Sequence, residues 1–366
     1  MKNDELLVQH GDDPSVMTKR LLQRSNMQAS INPTMRVGIK PNLVVAQPAA
    51  NGATTHVEIV RALVESLRAW GIGNIVIMEG AWVGDSTQKA FDVCGYRKMA
   101  EDLQVSLIDL KTDEDVSVKS HGLDLAICRT AMEVDVLINV PVLKGHCQTR
   151  MTCALKNMKG CISDREKRRY HTIGLHDPIA ALNTVLKQDW ILVDAMNGDL
   201  TYEGGGSPVP LNRMILARDP VLVDAWGARL MGYTLEDVPY LKRAAEWGVG
   251  SANLDQAKIT EEGKARRILD PSSLKGDAGR YRSLIRDQSA CSACYAALVH
   301  ALRQLDNQDQ VDTITDTLAI GQGYRNARSH HYLGIGDCAS GMSQSVEGCP
   351  PDPASIRDFL TGRRKK

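Results

Sequence analysis

From residue 35 onward, short apolar runs rich in β-branched residues alternate with segments of helical periodicity. Nearly continuous apolar strands separated by helices are typical of a largely parallel sheet that is covered on both faces. The pattern predicts strands at 35–39, 74–78, 105–110, 123–128, 134–140 and 190–193. It predicts helices at 55–70, through residue 98 after the second strand, at 149–159 and at 175–187. The predicted fold class is therefore α/β, with a largely parallel sheet covered by helices.

The two ends of the chain depart from this central pattern. Residues 1–33 are polar and irregular, which predicts an N-terminal arm or a peripheral helix. Near the other end the pattern predicts a helix at 292–305, strands at 315–320 and 332–335, and a final helix at 353–360 with a proline at its start. We therefore expect an arm at 1–33, an α/β core at 34–280 and a cysteine-rich α/β segment at 281–366.

Charged or amide side chains follow four of the predicted strands. They are Lys40 with Asn42, then Glu79, then Lys144 with His146, and finally Asp194. Open α/β sheets bind ligands at the carboxyl ends of their strands, so these side chains are predicted to converge on one cleft. For any single residue, the alternative is that the charge only marks the point where a strand returns to solvent.

The densest group of candidate residues lies between 144 and 161. The predicted helix 149–159 carries an apolar stripe and a second, more cationic face; the stripe holds Met151, Leu155 and Met158, and the other face holds Thr152, Lys156 and Lys159. With Lys144, His146 and Arg150 near its start, this helix would offer a carboxylate or phosphate both cations and free backbone N–H groups. The alternative is a solvated basic face.

Composition narrows the class of protein. Forty-four basic residues balance 44 acidic ones, so the net charge favours neither nucleic acid nor an anionic membrane as a partner. No apolar run approaches the roughly 18 residues that would span a bilayer, and the start of the chain lacks the pattern of a secretory signal. We expect a soluble cytoplasmic protein with no nucleic-acid or membrane partner.

Four of the nine cysteines lie in the last fifth of the chain, namely Cys291, Cys294, Cys338 and Cys349. The first two form a CxxC pair, whose spacing lets both sulfurs turn toward the same centre. Two thiolates from distant loops would complete four ligands for a [4Fe-4S] cluster. A structural zinc ion needs the same number, and unligated thiols or a disulfide are the third possibility. The total of nine is odd, so a complete disulfide framework is excluded.

The last cysteine carries a resemblance that favours the cluster. The segment 348–353 reads Gly-Cys-Pro-Pro-Asp-Pro. It resembles the Gly-Cys-Pro-Pro-x-Pro segment of the small subunits of nickel-iron hydrogenases and respiratory complex I, where that cysteine ligates a [4Fe-4S] cluster. The resemblance implies the same role for Cys349.

A second resemblance covers about residues 35–235. Several separated segments recur in the same order in the family named domain of unknown function 362; they are Lys40-Pro-Asn42, Thr55-His56, Lys144-Gly-His146, the stretch 152–160 with Ala154-Leu-Lys-Asn157 at its centre, His171, Asp194 and the stretch 219–224. Many members are described as iron-sulfur proteins. This chain departs from them in spreading its cysteines over 291–349 and in its glycine-rich loop at 203–208.

These patterns together predict an iron-sulfur enzyme, an oxidoreductase acting on a small anionic metabolite. The predicted catalytic residues are Lys144, His146, Glu79, His171 and Asp194, and the predicted anion-binding residues are Lys40, Asn42, Arg150, Lys156, Asn157 and Lys159. For His171, the alternative is a surface histidine beside a helix start. Two other functions stay open: an electron-transfer or cluster-bearing partner without its own substrate, and a non-redox iron-sulfur lyase or isomerase. A redox donor protein is a further expected partner.

Overall fold

A computed structural model describes residues 1–264 and 280–362. Its sixteen described strands are β1 Glu5–His10, β2 Val37–Pro41, β3 Ile75–Glu79, β4 Ser106–Asp109, β5 Asp115–Ser120, β6 Leu123–Cys128, β7 Val136–Val140, β8 Lys144–His146, β9 Arg150–Thr152, β10 Trp190–Ala195, β11 Arg213–Ala217, β12 Lys258–Glu262, β13 Ile285–Asp287, β14 Thr317–Ile320, β15 Ser329–Ile335 and β16 Met342–Val346. The boundary predicted at 280 follows residues 265–279, which lie outside the described part of the chain.

The helices that the structure describes cover the sheets and connect their strands. They are α1 Pro14–Ser25, α2 Val57–Ala69, α3 Thr87–Val93, α4 Tyr96–Leu103, α5 Arg129–Met132, α6 Ala154–Asn157, α7 Asp164–Thr172, α8 His176–Val185, α9 Pro220–Leu230, α10 Pro239–Glu246, α11 Ser292–Asp306 and α12 Pro353–Leu360. Within residues 1–264 and 280–362, none of them combines the length and apolar character needed to cross a membrane.

Eight strands form the main sheet, in the order β12-β1-β11-β10-β7-β2-β3-β4. All neighbours are parallel except that β11 runs antiparallel to both β10 and β1. Successive residues of a strand point to opposite faces, and here both faces are covered: Leu137 packs in one apolar core, whereas Val136 and Ile138 pack in the other. The predicted α/β fold with a largely parallel sheet is confirmed.

The first residues of the chain differ from the prediction. Instead of forming an arm, residues 5–10 form β1, which lies inside the main sheet between β11 and β12. Leu6 and Val8 are fully buried there, and α1 buries Met17 and Leu21 against the sheet. The apolar run of β1 is only three residues long, from Leu6 to Val8, and it is too short among polar neighbours to predict a strand.

The predicted strand at 123–128 forms, but it lies outside the main sheet. It is β6, which pairs antiparallel with β5 in a two-stranded sheet. The C-terminal segment builds a separate parallel sheet in the order β13-β14-β15-β16, with its own apolar core beneath α11. This second sheet brings α11 and the loops after β14 and β16 into contact with Gln148, Arg168 and Gly84 of the preceding part of the chain.

Hydrogen bonds and a close backbone contact join the C-terminal segment to the part of the chain that builds the main sheet. Ser292 Oγ at the start of α11 donates a hydrogen bond to Gln148 Oε1 at 2.9 Å, and Gln322 Nε2 donates to the Arg168 main-chain oxygen at 3.0 Å. Gly84 has φ +97°, and a Cβ there would lie 2.7 Å from the Cys349 oxygen. Only glycine permits this approach of the two backbones, which positions the loop after β16.

Candidate functional site

The segment that carries most of the candidate residues does not form the helix predicted at 149–159. Lys144 pairs with Thr152 in the antiparallel β8–β9 hairpin, and a single helical turn, α6, follows. Asp224 of α9 accepts hydrogen bonds from the N–H groups of Ala154 and Leu155 at 2.7 and 3.2 Å. These tertiary partners outweigh the helical pattern of the sequence, because α6 gains its N-terminal cap from another helix.

A cleft of about 660 Å³ lies where the carboxyl ends of the parallel strands face α6 and α11. Most residues predicted as catalytic or anion-binding line it, namely Lys40, Asn42, Glu79, Lys144, His146, Lys156, Asn157, Lys159 and His171. Arg150 and Asp194 do not. The strand ends thus meet at one cleft, although not every charged residue that follows a strand faces it.

Lys40 and Glu79 form a buried ion pair at the base of this cleft. Lys40 Nζ lies 2.7 Å from Glu79 Oε1 and also donates to the Pro41 oxygen at 2.8 Å and to Asn157 Oδ1 at 3.2 Å. Glu79 in turn accepts hydrogen bonds from the Leu43 and Gly80 N–H groups, both at 2.7 Å. Every charge in this group is paired, which is what burial requires.

Gly160 allows the pair to form. A Cβ at this position would lie 2.2 Å from Glu79 Oε1 and 2.5 Å from Lys40 Nζ. Both atoms are held by several hydrogen bonds, so neither can move away. Any larger residue at 160 would therefore break the ion pair or displace the turn after α6.

Lys144 is buried and held by oxygen atoms of the protein. Its Nζ donates to the main-chain oxygens of Ala53 and Glu203, the second at 2.9 Å, and lies 3.4 Å from Asn42 Oδ1. Burial, with a contribution from the nearby Lys156 cation, lowers the pKa of Lys144 to about 7. This lysine therefore orients the loop around Glu203 and titrates near neutrality.

His146 and Glu203 face each other inside the cleft. His146 Nδ1 accepts hydrogen bonds from the Gln148 and Thr149 N–H groups at 3.1 and 3.3 Å, so its proton is on Nε2. Burial, with the Lys156 and Lys159 cations, holds the pKa of His146 well below its usual value. Glu203 Oε1 lies 3.2 Å from Nε2. Their relative orientation forms no hydrogen bond, so this oxygen is left without a hydrogen-bond partner.

Lys156 and Lys159 have a different environment from Lys40. Within the described residues, neither forms a hydrogen bond or an ion pair with the protein, although both are half-buried in the cleft lining. Burial lowers the pKa of Lys156 to about 8, and burial with repulsion from Lys156 and Lys167 holds the pKa of Lys159 well below its usual value. An anion in the cleft would stabilise both ammonium groups.

The N-terminus of α11 closes one side of the cleft. Cys291 is its N-cap residue, and the Ser292 N–H donates to His171 Nε2 at 3.3 Å. Burial and the Lys159 and Lys156 cations hold the pKa of His171 well below its usual value, so this imidazole is neutral at pH 7. The positive end of a 15-residue helix dipole adds to the two unpaired lysines.

Asp194 and Arg150 lie outside the cleft. Asp194 Oδ2 accepts hydrogen bonds from the His56 N–H and Nδ1 at 2.9 and 2.8 Å, at the start of α2. Burial acts to lower the pKa of His56, but the charge of Asp194 and its hydrogen bond, with a contribution from Glu58, together outweigh burial and raise this pKa. Arg150 is exposed and has φ 69° at the turn of the β8–β9 hairpin. Their predicted roles stay predictions, but neither residue faces the cleft.

The four C-terminal cysteines line a second cavity of about 340 Å³ next to the cleft. Cys291 lines both cavities. Burial, with smaller contributions from the neighbouring Cys349 and Cys338 side chains, raises the pKa of Cys291 to about 11. Arg325 Nε lies 3.4 Å from Cys338 Sγ. In residues 1–264 and 280–362, no three His, Cys, Asp or Glu side chains are grouped closely enough to hold one metal ion.

Sequence reasoning missed three residues that line the cleft. Glu203 belongs to a glycine-rich loop, Lys167 lies in a basic run, and Ser292 follows the first cysteine of the CxxC pair. Lys167 Nζ donates to the Gly80 and Ala81 oxygens at 3.0 and 2.7 Å and so orders the loop after β3. Only Glu203 had a signal in the sequence, because a carboxylate beside three glycines is a poor choice for a plain turn.

The chain is similar to known proteins in structure and in sequence. Two solved structures resemble part of the chain: the lactate racemase apoprotein of Thermoanaerobacterium thermosaccharolyticum has a TM-score of 0.43 at 13% identity over 63% of this chain and 58% of that one. A Thermotoga maritima protein has a TM-score of 0.41 at 13% identity over 68% of this chain and 60% of that one.

Among curated proteins, the thylakoid-associated protein sll1697 of Synechocystis is 27% identical over 141 residues, which are 38% of this chain and 43% of that protein. The chain therefore spans less than half the length of this relative. The family described as "Domain of unknown function (DUF362)" matches residues 37–229, more than half of the chain and the whole strand edge that builds the cleft. The chain belongs to this DUF362 family.

Proposed function

We propose that this protein is an iron-sulfur oxidoreductase that binds a small anionic metabolite in the cleft and a [4Fe-4S] cluster in the adjacent cysteine-lined cavity. The observation that carries the proposal is the position of Cys291, which lines both cavities. A cluster ligated there would stand directly beside a bound anion. When present, such a cluster supplies one-electron transfer.

The residues of the second cavity fit the ligand set of a [4Fe-4S] cluster. Such a cluster takes one thiolate at each of four irons, and Cys291, Cys294, Cys338 and Cys349 all line this one cavity. Gly321, Gly336 and Gly348 also line this cavity, so no side chain at these three positions fills it.

The first cavity supports binding of an anion. Lys156 and Lys159 bring two cations that have no protein partner in the described part of the chain, and the N-terminus of α11 adds backbone N–H groups. A carboxylate or phosphate in this position would stabilise charges that burial disfavours.

Two alternatives from the sequence are less well supported. A pure electron carrier has no use for a charged cleft beside its cluster, and the unpaired lysines therefore favour the enzyme. A lyase that uses iron as a Lewis acid needs an open iron, whereas four cysteines would occupy every iron. Cys349 is exposed, which gives an external one-electron donor protein a side from which to approach. The cytoplasmic location predicted from the sequence would keep the four thiols reduced.

The first test is metal analysis of protein purified without oxygen. We expect about four irons and four sulfides per chain, and Cys338→Ala and Cys349→Ala should lose most of both. Cys94→Ala is the matched control, because Cys94 is a free buried cysteine outside the cavity, and it should keep full iron content. Zinc without acid-labile sulfide would contradict the proposal.

A second test separates the enzyme from the carrier. Electron paramagnetic resonance spectra of the reduced protein should change when phosphate or malate is added, because the anion binds beside Cys291. The change should be absent in Lys156→Met, which keeps the four cysteines. Spectra that stay the same when either anion is added would instead support the electron-carrier function.

A further inference from the structure

Glu203 presents a buried carboxylate oxygen that the protein leaves without a hydrogen bond. Its side chain is fixed, since Oε2 accepts from the Cys147 N–H at 3.0 Å while its main-chain oxygen accepts from Lys144 Nζ at 2.9 Å. Oε1 is the remaining atom, and it is buried without a hydrogen-bond partner. Glu203 is only 2% exposed and lines the cleft. A carboxylate oxygen left in this state costs free energy that a ligand would recover.

The neighbouring atom on His146 defines what that ligand group must be. His146 Nδ1 accepts from two backbone N–H groups, so Nε2 carries the ring proton, and Nε2 lies beside Glu203 Oε1. The cleft therefore offers an acceptor, Oε1, and a donor, Nε2–H, 3.2 Å apart. A hydroxyl group can donate to the first and accept from the second at once. An ammonium group would only donate and a carbonyl would only accept.

This donor and acceptor pair lies in the same cleft as the two unpaired lysines. Glu203 is the principal anionic neighbour of Lys156, yet the two form no ion pair. Lys156 therefore stays available for a ligand's negative charge while Glu203 and His146 stay available for its hydroxyl group. Because these residues line a single cavity, one small molecule would supply both the negative charge and the hydroxyl group.

We propose that the metabolite bound in the cleft is a hydroxylated anion, with its carboxylate or phosphate against Lys156 and Lys159 and its hydroxyl oxygen within hydrogen-bond distance of both Glu203 Oε1 and His146 Nε2. The proposal rests on the anion site of the proposed function and narrows its substrate class. It assigns Glu203, which sequence patterns did not single out, as the residue that distinguishes a hydroxylated anion from its deoxy counterpart.

The test compares matched pairs of anions by isothermal titration calorimetry at pH 7, with protein purified without oxygen. The pairs are glycolate with acetate, malate with succinate, and glycerol 3-phosphate with propyl phosphate; the first two pairs report a carboxylate ligand and the third a phosphate. In the wild type, the hydroxylated member of at least one pair should bind tenfold tighter or more, since its deoxy partner leaves Oε1 and Nε2 unpaired.

Variants assign the discrimination to Glu203. Glu203→Gln should bring the affinities within each pair to within about threefold, because the amide can turn a donor toward the cleft. Glu236→Gln, an exposed glutamate paired with Lys242, is the matched control and should keep the wild-type ratio. If Glu203→Gln fails to fold, the wild-type ratios alone decide.

The outcomes separate this inference from the proposed function. Equal affinity within every pair, in protein that binds anions and carries iron, would overturn the hydroxyl assignment and leave the iron-sulfur enzyme intact. Tenfold discrimination in protein without iron would support the assignment and contradict the cluster. Absence of binding for all six anions would overturn both.

Discussion

Two groups of residues in one cleft show opposite treatments of buried charge. The paired set consists of Lys40, Glu79 and Asn157, and each of its polar atoms has a protein partner. The unpaired set consists of Lys156, Lys159 and Glu203, and the described residues leave both ammonium groups and one carboxylate oxygen without a hydrogen bond. A buried lysine whose charge is paired within the protein stabilises the fold. A lysine whose charge has no protein partner is available to a ligand.

The energetic reason lies in desolvation. A buried ion pair that is fully hydrogen-bonded breaks even or contributes little, whereas removing one partner is strongly destabilising. An unpaired half-buried charge costs free energy in the absence of a ligand, which is why burial lowers the pKa values of Lys156 and Lys159. A protein keeps such a cost where ligand binding recovers it.

The largest expected effect is a difference in the free energy of unfolding between variants of the paired and the unpaired set. Lys40→Met should lower the free energy of unfolding by about 3–5 kcal/mol, because it leaves the Glu79 charge buried without its cation. Lys156→Met, the same chemical change in the unpaired set, should leave stability within about 0.5 kcal/mol or raise it. Urea unfolding of both variants measures the difference. Equal losses would mean that the two lysines have the same structural role.

The second prediction concerns anion affinity, for which the unpaired Lys156 should matter. Lys156→Met should weaken malate or phosphate binding by about 10- to 100-fold, the worth of one charge-assisted hydrogen bond. Lys242→Met, which removes an exposed lysine paired with Glu236, should leave affinity unchanged. Titration calorimetry measures both. Unchanged affinity in Lys156→Met would instead support the alternative that Lys156 belongs to a solvated basic face without a ligand.

A third prediction uses pH to sharpen the role of Lys156. Its pKa is lowered to about 8, so it is charged at pH 7 and mostly neutral at pH 9. Anion binding needs the charged form, and affinity for malate should therefore fall about tenfold between these values. The ionisable groups that influence Lys156 or that it influences are Glu203, Cys147, Lys144, Lys159, His146 and His171.

The control for this profile is Lys156→Met. Both histidines have pKa values well below the usual value and stay neutral from pH 7 to 9. Lys144, with a pKa lowered to about 7, titrates at the lower end of the same range. Any pH dependence that survives in Lys156→Met therefore belongs to other groups, and an unchanged profile would contradict the assignment.

The smallest effect concerns a predicted catalytic residue outside the cleft. Asp194→Asn should cost about 1 kcal/mol of stability, because Asp194 accepts hydrogen bonds at the start of α2. It should also lower the pKa of His56, which proton NMR can follow, since the Asp194 charge raises it. Affinity for malate should not change. A tenfold loss of affinity would place Asp194 among the functional residues after all.

Several features of the site could be predicted from the sequence because they depend on local rules. Apolar β-branched runs predicted β2, β3 and β7 within two residues, and the carboxyl ends of parallel strands share one edge. Lys40 and Glu79 were therefore expected at the same edge of the sheet. The helix at 353–360 also matched, because Pro353 marks its first turn and the Asp352 side chain caps it.

Other features could not be read from the sequence. The pattern at 149–159 has helical spacing, yet the chain forms β9 and one helical turn, since Asp224, about 70 residues away in sequence, caps α6. Residues 1–33 hid β1, whose partners β11 and β12 come from more than 200 residues later in the chain. Long-range pairing decided both elements, and a single sequence carries no record of such partners.

By itself, the sequence determined the class of fold, the strand edge where charged residues collect and the set of four cysteines available to a cluster. Those features follow from the period of apolar residues and from residue types at fixed spacing. Only the tertiary structure decided that Lys40 is paired, that Lys156 and Glu203 are not, and that Cys291 joins two cavities. Charge pairing depends on distances between residues far apart in the chain, and folding alone sets those distances.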